Sequence, residues 1–406
     1  MACWHGKGYE TNVTAKRLGY VDGLRALAAL AVVVDHVTLE IWPVGLPQRI
    51  APFVDPAVYG HTAVSVFIVL SGFSLMLPVA RNGFRLPDGA LGFFWRRAKR
   101  ILPPYYYALT LSLLLIWLFI GRKTGTHWDV SIPVTAQGVV THVLLVQDFS
   151  ATTGSMINHV FWSIALECQI YLLFPALVWL WRRYHPLFVT LMTLVVSVVG
   201  FVALLATSVG HEPGYGISAF DPQYLGLFAL GMLAATIYTM PTPFWSALAR
   251  WRIWDVLALG GFVLLLSRSH VETLFGWLAL DALTGLMTVG LLLAASHHSR
   301  ANPIRAALEW RPLVWIGGFS YSLYLIHAPL IQVIWQYALR PLRLSDTTTY
   351  LLLLGVGAPL IVAAAWVFWR LCERPFLNTR PASEGVVATG HTQVAGQPTQ
   401  VQTLEM

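Results

Sequence analysis

The sequence predicts an all-α protein, a polytopic bundle of transmembrane helices. Of its 406 residues, 56% are hydrophobic and 11% are charged, whereas charged residues make up about a quarter of a typical soluble domain. The hydrophobic residues are grouped into long apolar stretches, and the basic residues are concentrated on one side of them. The net charge of +7 is therefore explained by membrane topology and does not indicate a nucleic-acid partner.

About ten apolar stretches approach the roughly 20 residues that a transmembrane helix needs. They are 22–42, 60–80, 104–121, 160–181, 187–207, 221–239, 253–267, 273–296, 313–339 and 348–370. The stretch 253–267 is short for a span. A further apolar piece, 138–146, is too brief to cross, and we expect it to enter the membrane edge or to pack on the bundle.

The basic residues orient these spans. With the N-terminus in the cytoplasm, 20 of the 26 lysines and arginines fall on the inner side. Cytoplasmic loops carry an excess of lysine and arginine, so the distribution predicts ten spans with both termini in the cytoplasm. The protein is then a multi-pass protein of the cytoplasmic membrane.

Three regions follow from this topology. They are a cytoplasmic N-terminal segment (1–20), a transmembrane domain (21–376) and a disordered, polar cytoplasmic tail (377–406). The first span could be mistaken for a signal peptide. Asp35 and His36, however, stand where a small-residue cleavage site should follow, so we interpret it as a retained helix.

The first span is unusual because it contains ionisable residues, which are costly inside a bilayer. Arg25 and His36 are eleven residues apart, close to three helical turns, so they lie on nearly the same face about 16 Å apart. Between them this face shows the small residues Ala28, Ala29 and Val32. A cation and a titratable base joined by an apolar strip predict a seat for a long, thin substrate.

Four further stretches stand out. They are Phe67–Phe73 in the second span, the basic inner loop Phe94–Tyr105, the Trp-Ser-x-x-x-Glu sequence within Phe161–Tyr171, and Ser320–Pro329 in the ninth span. Together with the Arg-x10-His pattern of the first span, their order resembles the acyltransferase family 3 membrane enzymes. The resemblance covers residues 20 to about 376. It implies transfer of acyl groups, often from acyl-CoA, to hydroxyls of sugars, lipopolysaccharides, nodulation factors or macrolides.

The resemblance also implies roles for individual residues. In the family the Arg and His of the first helix, here Arg25 and His36, are thought to be essential, and Glu167 matches a recurrent functional glutamate. His36 suits a general base or an acyl carrier, because an imidazole titrates near neutral pH. The alternative is a buried histidine satisfied by a neighbour such as Asp35 or a backbone carbonyl. Glu167 enters to a similar depth as His36, so we expect it to orient or support the imidazole, unless it only pairs helices.

Phosphate binding would fall to the basic residues. Arg25 could hold a CoA phosphate through its planar guanidinium, or it could be a topological arginine paired with Asp22. Arg96, Arg97 and Arg100 could assist it, although basic clusters beside a span commonly report topology and lipid contact.

The remaining candidates would bind the substrates. They are Asp22, Ser71, Ser320, Tyr324 and His327. Small and hydroxyl side chains also serve helix packing in membranes, which is an equally good interpretation. No Gly-x-Ser-x-Gly elbow, P-loop or metal-ligand spacing is present, so the sequence predicts neither a metal nor a tightly bound cofactor.

The sequence thus predicts a membrane O-acyltransferase with acyl-CoA as co-substrate and a hydroxyl-bearing sugar, glycolipid or glycosylated natural product as acceptor. The alternatives are a transporter or flippase that uses the buried charges as a relay, and a scaffold whose charges only pair helices. Transporters usually show two related halves with interrupted spans, and no such repeat is visible.

Overall fold

The computed structural model describes residues 18–44, 59–207, 221–266, 268–297 and 302–377. Every regular element in these ranges is helical, which confirms the all-α prediction. Residues 1–17 and 378–406 lie outside the described ranges, and with them nearly all of the two predicted terminal segments.

Fifteen α-helices are described. They are α1 (Gly19–Ile41), α2 (Tyr59–Arg81), α3 (Gly89–Leu115), α4 (Ala136–Leu144), α5 (Trp162–Arg183), α6 (Pro186–Thr207), α7 (Gln223–Thr239), α8 (Pro243–Ala249), α9 (Ile253–Leu266), α10 (Arg268–Ser296), α11 (Pro303–Leu308), α12 (Arg311–Gly317), α13 (Ser320–Ile334), α14 (Asp346–Leu352) and α15 (Ala358–Phe368). Turns of π-helix extend α3 and α13, join α14 to α15, and follow α15 as Trp369–Glu373.

Six helical stretches are long and apolar enough to cross a membrane. They are Gly60–Arg81, Gly89–Ile120, Trp162–Arg183, Pro186–Leu204, Gly276–Ser296 and Asp346–Phe376. The number rises to eight if two bent pairs, Gln223–Thr239 with Pro243–Leu265 and Arg311–Gly317 with Ser320–Leu342, each form one span. The chain is therefore a multi-pass membrane protein. The predicted count of ten is not reached, because α1 is too rich in charge and α9 has only 14 residues.

The basic stretch Phe94–Tyr105 is not the loop that the sequence predicts. Helix α3 already begins at Gly89 and continues through Pro103 and Pro104. Arg96, Arg97 and Arg100 therefore project from one continuous helix, which fixes their directions. Prolines are tolerated inside a membrane helix when neighbouring groups form hydrogen bonds with the backbone carbonyls that the prolines leave unpaired.

Helix α1 lies inside the bundle and packs against α2, α12 and α13. Its approach to α12 is so close that a Cβ at Gly317 would meet the backbone carbonyl of Asp22. The acidic residues Asp22, Asp35 and Glu40 of this helix are all buried in protein. The charges of α1 thus face other helices and not lipid, as intramembrane ionisable groups generally do.

A connecting segment, residues 121–161, covers one end of the bundle. It contains a 3₁₀ turn at His127–Ser131 and helix α4. Thr126 Oγ1 lies 2.7 Å from the Gln332 amide of α13, and Asn158 Nδ2 donates to Leu325 O at 3.2 Å. The Tyr105 hydroxyl of α3 donates to His142 O in α4 at 3.0 Å. Residues 138–146 therefore pack on the bundle, one of the two arrangements expected from the sequence.

Candidate functional site

Arg25 is held by two neighbours. Its guanidinium donates to Asp22 Oδ1 at 3.2 Å and to Ser74 Oγ of α2 at 2.7 Å. The ion pair with Asp22 that the sequence allowed is therefore present, and Asp22 is buried. The pair does not bury the arginine completely, since about a quarter of its side chain remains exposed. Arg25 is thus fixed in direction while part of it still faces open space.

That space is a cavity of about 160 Å³, open on one side, between α1, α2, α3, α5, α12 and α13. Hereafter it is called the arginine cavity, because Arg25, Arg97 and Arg100 all line it. The sequence-predicted residues that line it with them are Asp22, Ser71, Glu167, Ser320 and Tyr324. Sequence reasoning missed five polar lining residues, which are Ser74, Ser163, Tyr171, Tyr321 and Glu373. Ser163 belongs to the same Trp-Ser-x-x-x-Glu sequence as Glu167, so that motif already carried a signal for it.

The three arginines give the cavity its chemical character. Arg25 and Arg100 are close enough to repel one another, and so are Arg97 and Arg100. Clustered guanidiniums favour a multiply charged anion, because planar N–H donors match phosphate oxygens and the anion relieves the repulsion. Arg96 is not part of this group. It forms an ion pair with Asp88 and does not line the cavity.

Glu167 belongs to the arginine cavity and not to His36. Ser71 Oγ donates to its carboxylate at 3.0 Å, and the Tyr171 hydroxyl donates to it as well. Among the described residues we find no hydrogen bond between Glu167 and His36. Helix lengths in the sequence predict similar depths for the two residues in the membrane, but not the direction in which α5 presents Glu167. The proposed orienting role of Glu167 toward the imidazole therefore has no contact to support it.

The apolar strip between Arg25 and His36 is also used differently from the expectation. Ala28, Ala29 and Val32 are almost fully buried, and none of them lines the cavity. Small side chains let neighbouring helices approach closely, so this face of α1 is filled by packing. The open space of the arginine cavity therefore lies beside α1 and not along that strip.

His36 lies in a second group of residues, the histidine cluster, which consists of His36, His127, His159 and His327. Its Nδ1 is 2.8 Å from Val32 O and 3.3 Å from His327 Nε2. Since a carbonyl oxygen can only accept, Nδ1 carries the proton when the ring is neutral, and Nε2 keeps its lone pair. His327 is fixed in the same way, by Nδ1 at 2.8 Å from Tyr324 O. A purely structural role for His36, in which the backbone satisfies the ring, thus accounts for Nδ1 and not for Nε2.

The other two members come from the connecting segment, and sequence reasoning missed them. The rings of His159 and His127 lie 4.9 and 6.2 Å from that of His36. His159 Nδ1 is 3.0 Å from Ser131 Oγ. Burial lowers the pKa of His127, and burial together with the neighbouring histidines lowers that of His159 well below its usual range. Both rings are therefore neutral at neutral pH. No local spacing links them to His36, so a linear pattern gave no signal.

Tyr324 joins the two groups. It lines the arginine cavity, its hydroxyl is 2.7 Å from Ser163 Oγ, and its ring lies 5.8 Å from that of His327. His327 in turn contacts His36. His327 is completely buried and does not line the cavity, so its predicted contact with a substrate is replaced by a contact with His36.

These features define a class: a multi-pass helical membrane protein with an arginine-lined cavity and a neighbouring cluster of histidines. Residues 18–370 match the family model described as an acyltransferase domain. The match covers most of the chain, so the chain belongs to this acyltransferase family, known as acyltransferase family 3, as the sequence motifs predicted.

Relatives in the family carry names that specify an activity. The chain is 23% identical to the peptidoglycan O-acetyltransferase OatA of Listeria monocytogenes, over 90% of this chain and 56% of the relative. It is 25% identical to the putative peptidoglycan O-acetyltransferase YrhL of Bacillus subtilis, over 77% and 48%. The O-acetyltransferase OatA of Staphylococcus aureus is 23% identical over 82% and 53%. The chain thus spans about half the length of these relatives. No solved structure matches it significantly.

Proposed function

We propose that the chain is an integral membrane O-acyltransferase that moves an acyl group, such as acetyl, from acyl-CoA to a hydroxyl of a carbohydrate or glycosylated acceptor. One observation carries the proposal. A cavity lined by three arginines is also lined by Tyr324, whose ring lies beside His327, and His327 contacts His36, the histidine of the Arg-x10-His pattern in α1. The names of the relatives support a sugar hydroxyl as acceptor.

The donor binds through its phosphates. Arg25, Arg97 and Arg100 hold the anionic end of acyl-CoA, and Arg25 is the main anchor because Asp22 and Ser74 fix the plane of its guanidinium. The thioester then extends past Ser163 and Tyr324 toward the histidine cluster. Fixed donors of this kind position the reacting group without further loss of freedom.

His36 carries out the transfer through Nε2. As a general base, it takes the proton of the acceptor hydroxyl while the alkoxide attacks the thioester carbonyl. A C–O bond forms, the C–S bond breaks, and the proton passes to the leaving CoA thiolate. As an acyl carrier, Nε2 attacks the thioester first, so that an N–C bond forms and the C–S bond breaks. The acceptor hydroxyl then attacks the acyl-imidazolium, the C–N bond breaks, and the hydroxyl proton passes to the CoA thiolate. In both routes His36 becomes cationic for a time, and Val32 O, which accepts from its Nδ1–H, helps to stabilise that charge.

The topology completes the proposal. Ten spans, with α1 and α9 each crossing the cytoplasmic membrane, place both termini in the cytoplasm and the connecting segment on the far side. The arginine cavity then opens toward cytoplasmic acyl-CoA, and the histidine cluster lies near the opposite surface. An acceptor on the far side can thus be served by a donor that stays inside.

A membrane assay with acyl-labelled acetyl-CoA tests the function. We expect thioester loss and appearance of label in ester linkage on a carbohydrate acceptor such as a muropeptide. A denaturing quench before acceptor is added separates the two routes, since only the acyl carrier gives a labelled protein, and hydroxylamine then releases that label. Movement of a substrate across the membrane without ester formation would contradict the proposal and favour a transporter.

A further inference from the structure

Three histidines that are distant in sequence point nitrogen atoms at a common space. His36, His127 and His159 each offer one ring nitrogen, and these three atoms all lie within 4.8 Å of one another. One comes from α1, one from the 3₁₀ turn at His127–Ser131, and one from the residues just before α5. All three side chains are partly buried, so a ligand here is shielded but accessible.

The chemistry of these nitrogens is that of a metal ligand set. His36 Nδ1 is used by Val32 O, which leaves Nε2 free. His159 Nδ1 is used by Ser131 Oγ, and its Nε2 is buried without a hydrogen-bond partner. Metal-binding histidines characteristically use one nitrogen for such an orienting contact and the other for the ion. Neutral imidazoles also need not lose a proton before they bind.

The three ring nitrogens need to move only slightly closer together to bind one metal ion. Three imidazole nitrogens at 2.0–2.1 Å from a tetrahedral zinc ion would be about 3.4 Å apart. The present limit of 4.8 Å shortens to that value if the side chains move by about 1 Å, which rotation of three partly buried rings provides. Three protein ligands leave a fourth position for water.

We propose that His36, His127 and His159 bind a divalent transition-metal ion of the zinc type, and that the bound ion reversibly inhibits acyl transfer. Imidazole ligands select Zn²⁺, Cu²⁺, Ni²⁺ and Co²⁺ over the harder Mg²⁺ and Ca²⁺. The inhibition rests on the proposed function, because the ion occupies the same Nε2 of His36 that takes the hydroxyl proton. The binding does not rest on it.

Cobalt provides a direct measurement of the site. The full-length chain, purified in detergent and treated with EDTA, is titrated with CoCl₂, and the visible absorption of tetrahedral Co²⁺ is followed. We expect one Co²⁺ per chain, displaced by Zn²⁺ and not by Mg²⁺. His127→Ala and His159→Ala should each weaken binding by at least about tenfold, the lower end of what even supporting residues of metal sites contribute.

A matched control is available in His185. Its imidazole is exposed and lies just after α5, whereas the cluster lies at the start of that helix. His185→Ala should bind Co²⁺ like the wild type. His127→Gln, which keeps size and polarity, serves if His127→Ala does not remain monodisperse. Absence of the Co²⁺ bands, or binding unchanged in both cluster variants, would overturn the site.

Acyl transfer measured with added ZnCl₂ separates the site from the proposed function. We expect inhibition at the zinc concentration that displaces Co²⁺, with recovery on addition of EDTA and a weaker effect in His159→Ala than in the wild type. Zinc binding at the cluster with unchanged transfer would overturn the inhibition and count against His36 as the reacting group. Transfer without any metal binding would overturn the site and leave the proposed function intact.

Discussion

Arg25 illustrates how much of a residue's role depends on its direction. The side chain uses separate nitrogens for Asp22 and Ser74, and only part of it remains for a ligand. A lysine retains the charge but cannot make two fixed contacts and a third interaction in the plane of one group. The sequence offered the anchoring role and the ion pair with Asp22 as alternatives, and the structure shows the ion pair while part of the guanidinium stays exposed.

We therefore expect Arg25→Lys to raise the apparent KM for acyl-CoA several-fold while expression stays near the wild-type level. Arg96→Lys is the matched control, since Arg96 pairs with Asp88 outside the cavity and should leave KM unchanged. Initial rates against acyl-CoA concentration provide the measurement. Equal KM values for wild type and Arg25→Lys would restrict Arg25 to a role in topology.

His36→Ala should lower the transfer rate by roughly 10²–10⁴-fold, the usual contribution of a general acid–base group. Insertion should persist because alanine is easier to bury than imidazole.

Glu167→Gln should act on donor affinity, because Glu167 contacts Ser71 and Tyr171 in the arginine cavity.

The double variant then decides whether the two groups are independent. Separate sites predict losses in kcat/KM that multiply, whereas residues acting as a unit are non-additive. A double variant no worse than His36→Ala alone would restore the direct partnership that the sequence suggested.

At the scale of elements, the approach of α1 to α12 determines where Asp22 and Arg25 stand. A Cβ at Gly317 would meet the Asp22 carbonyl, a backbone atom that cannot move aside. We expect Gly317→Ala to destabilise the protein by about 1–3 kcal/mol and to reduce donor binding with it. Gly355→Ala, where a Cβ meets nothing within 4 Å, is the control. Thermal unfolding in detergent measures the difference, and equal midpoints for the two variants would contradict the argument.

A histidine in helix α4 makes the stability of the folded protein depend on pH. His142 is fully buried there, and burial lowers its pKa from 6.5 to about 4. Between these two values the unfolded chain binds a proton that the folded chain does not. Burial of the His142 imidazole therefore leaves the free energy of unfolding unaffected by pH above 6.5. As the pH falls from 6.5 toward 4, this free energy decreases by about 1.4 kcal/mol per pH unit.

His142→Phe removes the titrating group and fits beside Phe161, whose ring is 6.3 Å away. Its unfolding midpoint should fall less between pH 7 and pH 5 than that of the wild type. His185→Phe, an exposed site, should show the wild-type dependence. A His142→Phe protein with the wild-type slope would show that the acid sensitivity originates elsewhere.

At the scale of the whole molecule, the distribution of lysine and arginine predicts a topology that the lengths of the helices do not decide. Reporter fusions after Arg183 and Arg252 should lie in the cytoplasm, and fusions at Lys123 and Arg343 on the far side. An alkaline phosphatase and green fluorescent protein pair gives opposite signals on the two sides. Opposite results at two of these positions would eliminate the ten-span arrangement.

The sequence predicted the helical membrane fold and most of the arginine cavity, because hydrophobic stretches and unusual charges are local signals. It did not predict the contacts that depend on the rotational orientation of each helix about its own axis. Glu167 faces Ser71 and not His36, and His327 touches His36 and not the cavity. His127 and His159 were invisible for a related reason. They reach His36 only because contacts such as Thr126 with Gln332 and Asn158 with Leu325 hold the connecting segment on the bundle.

The two ends of the site are assembled from different parts of the chain, which has a consequence for how such a protein can be altered. The arginine cavity is built by the helices, whereas two of the rings around His36 belong to the connecting segment between α3 and α5. Under the proposed function, we expect exchange of residues 121–161 between family members to change which hydroxyl is modified while the acyl donor is retained. Substitutions in this segment are therefore the most direct way to change the acceptor without changing the arginine cavity.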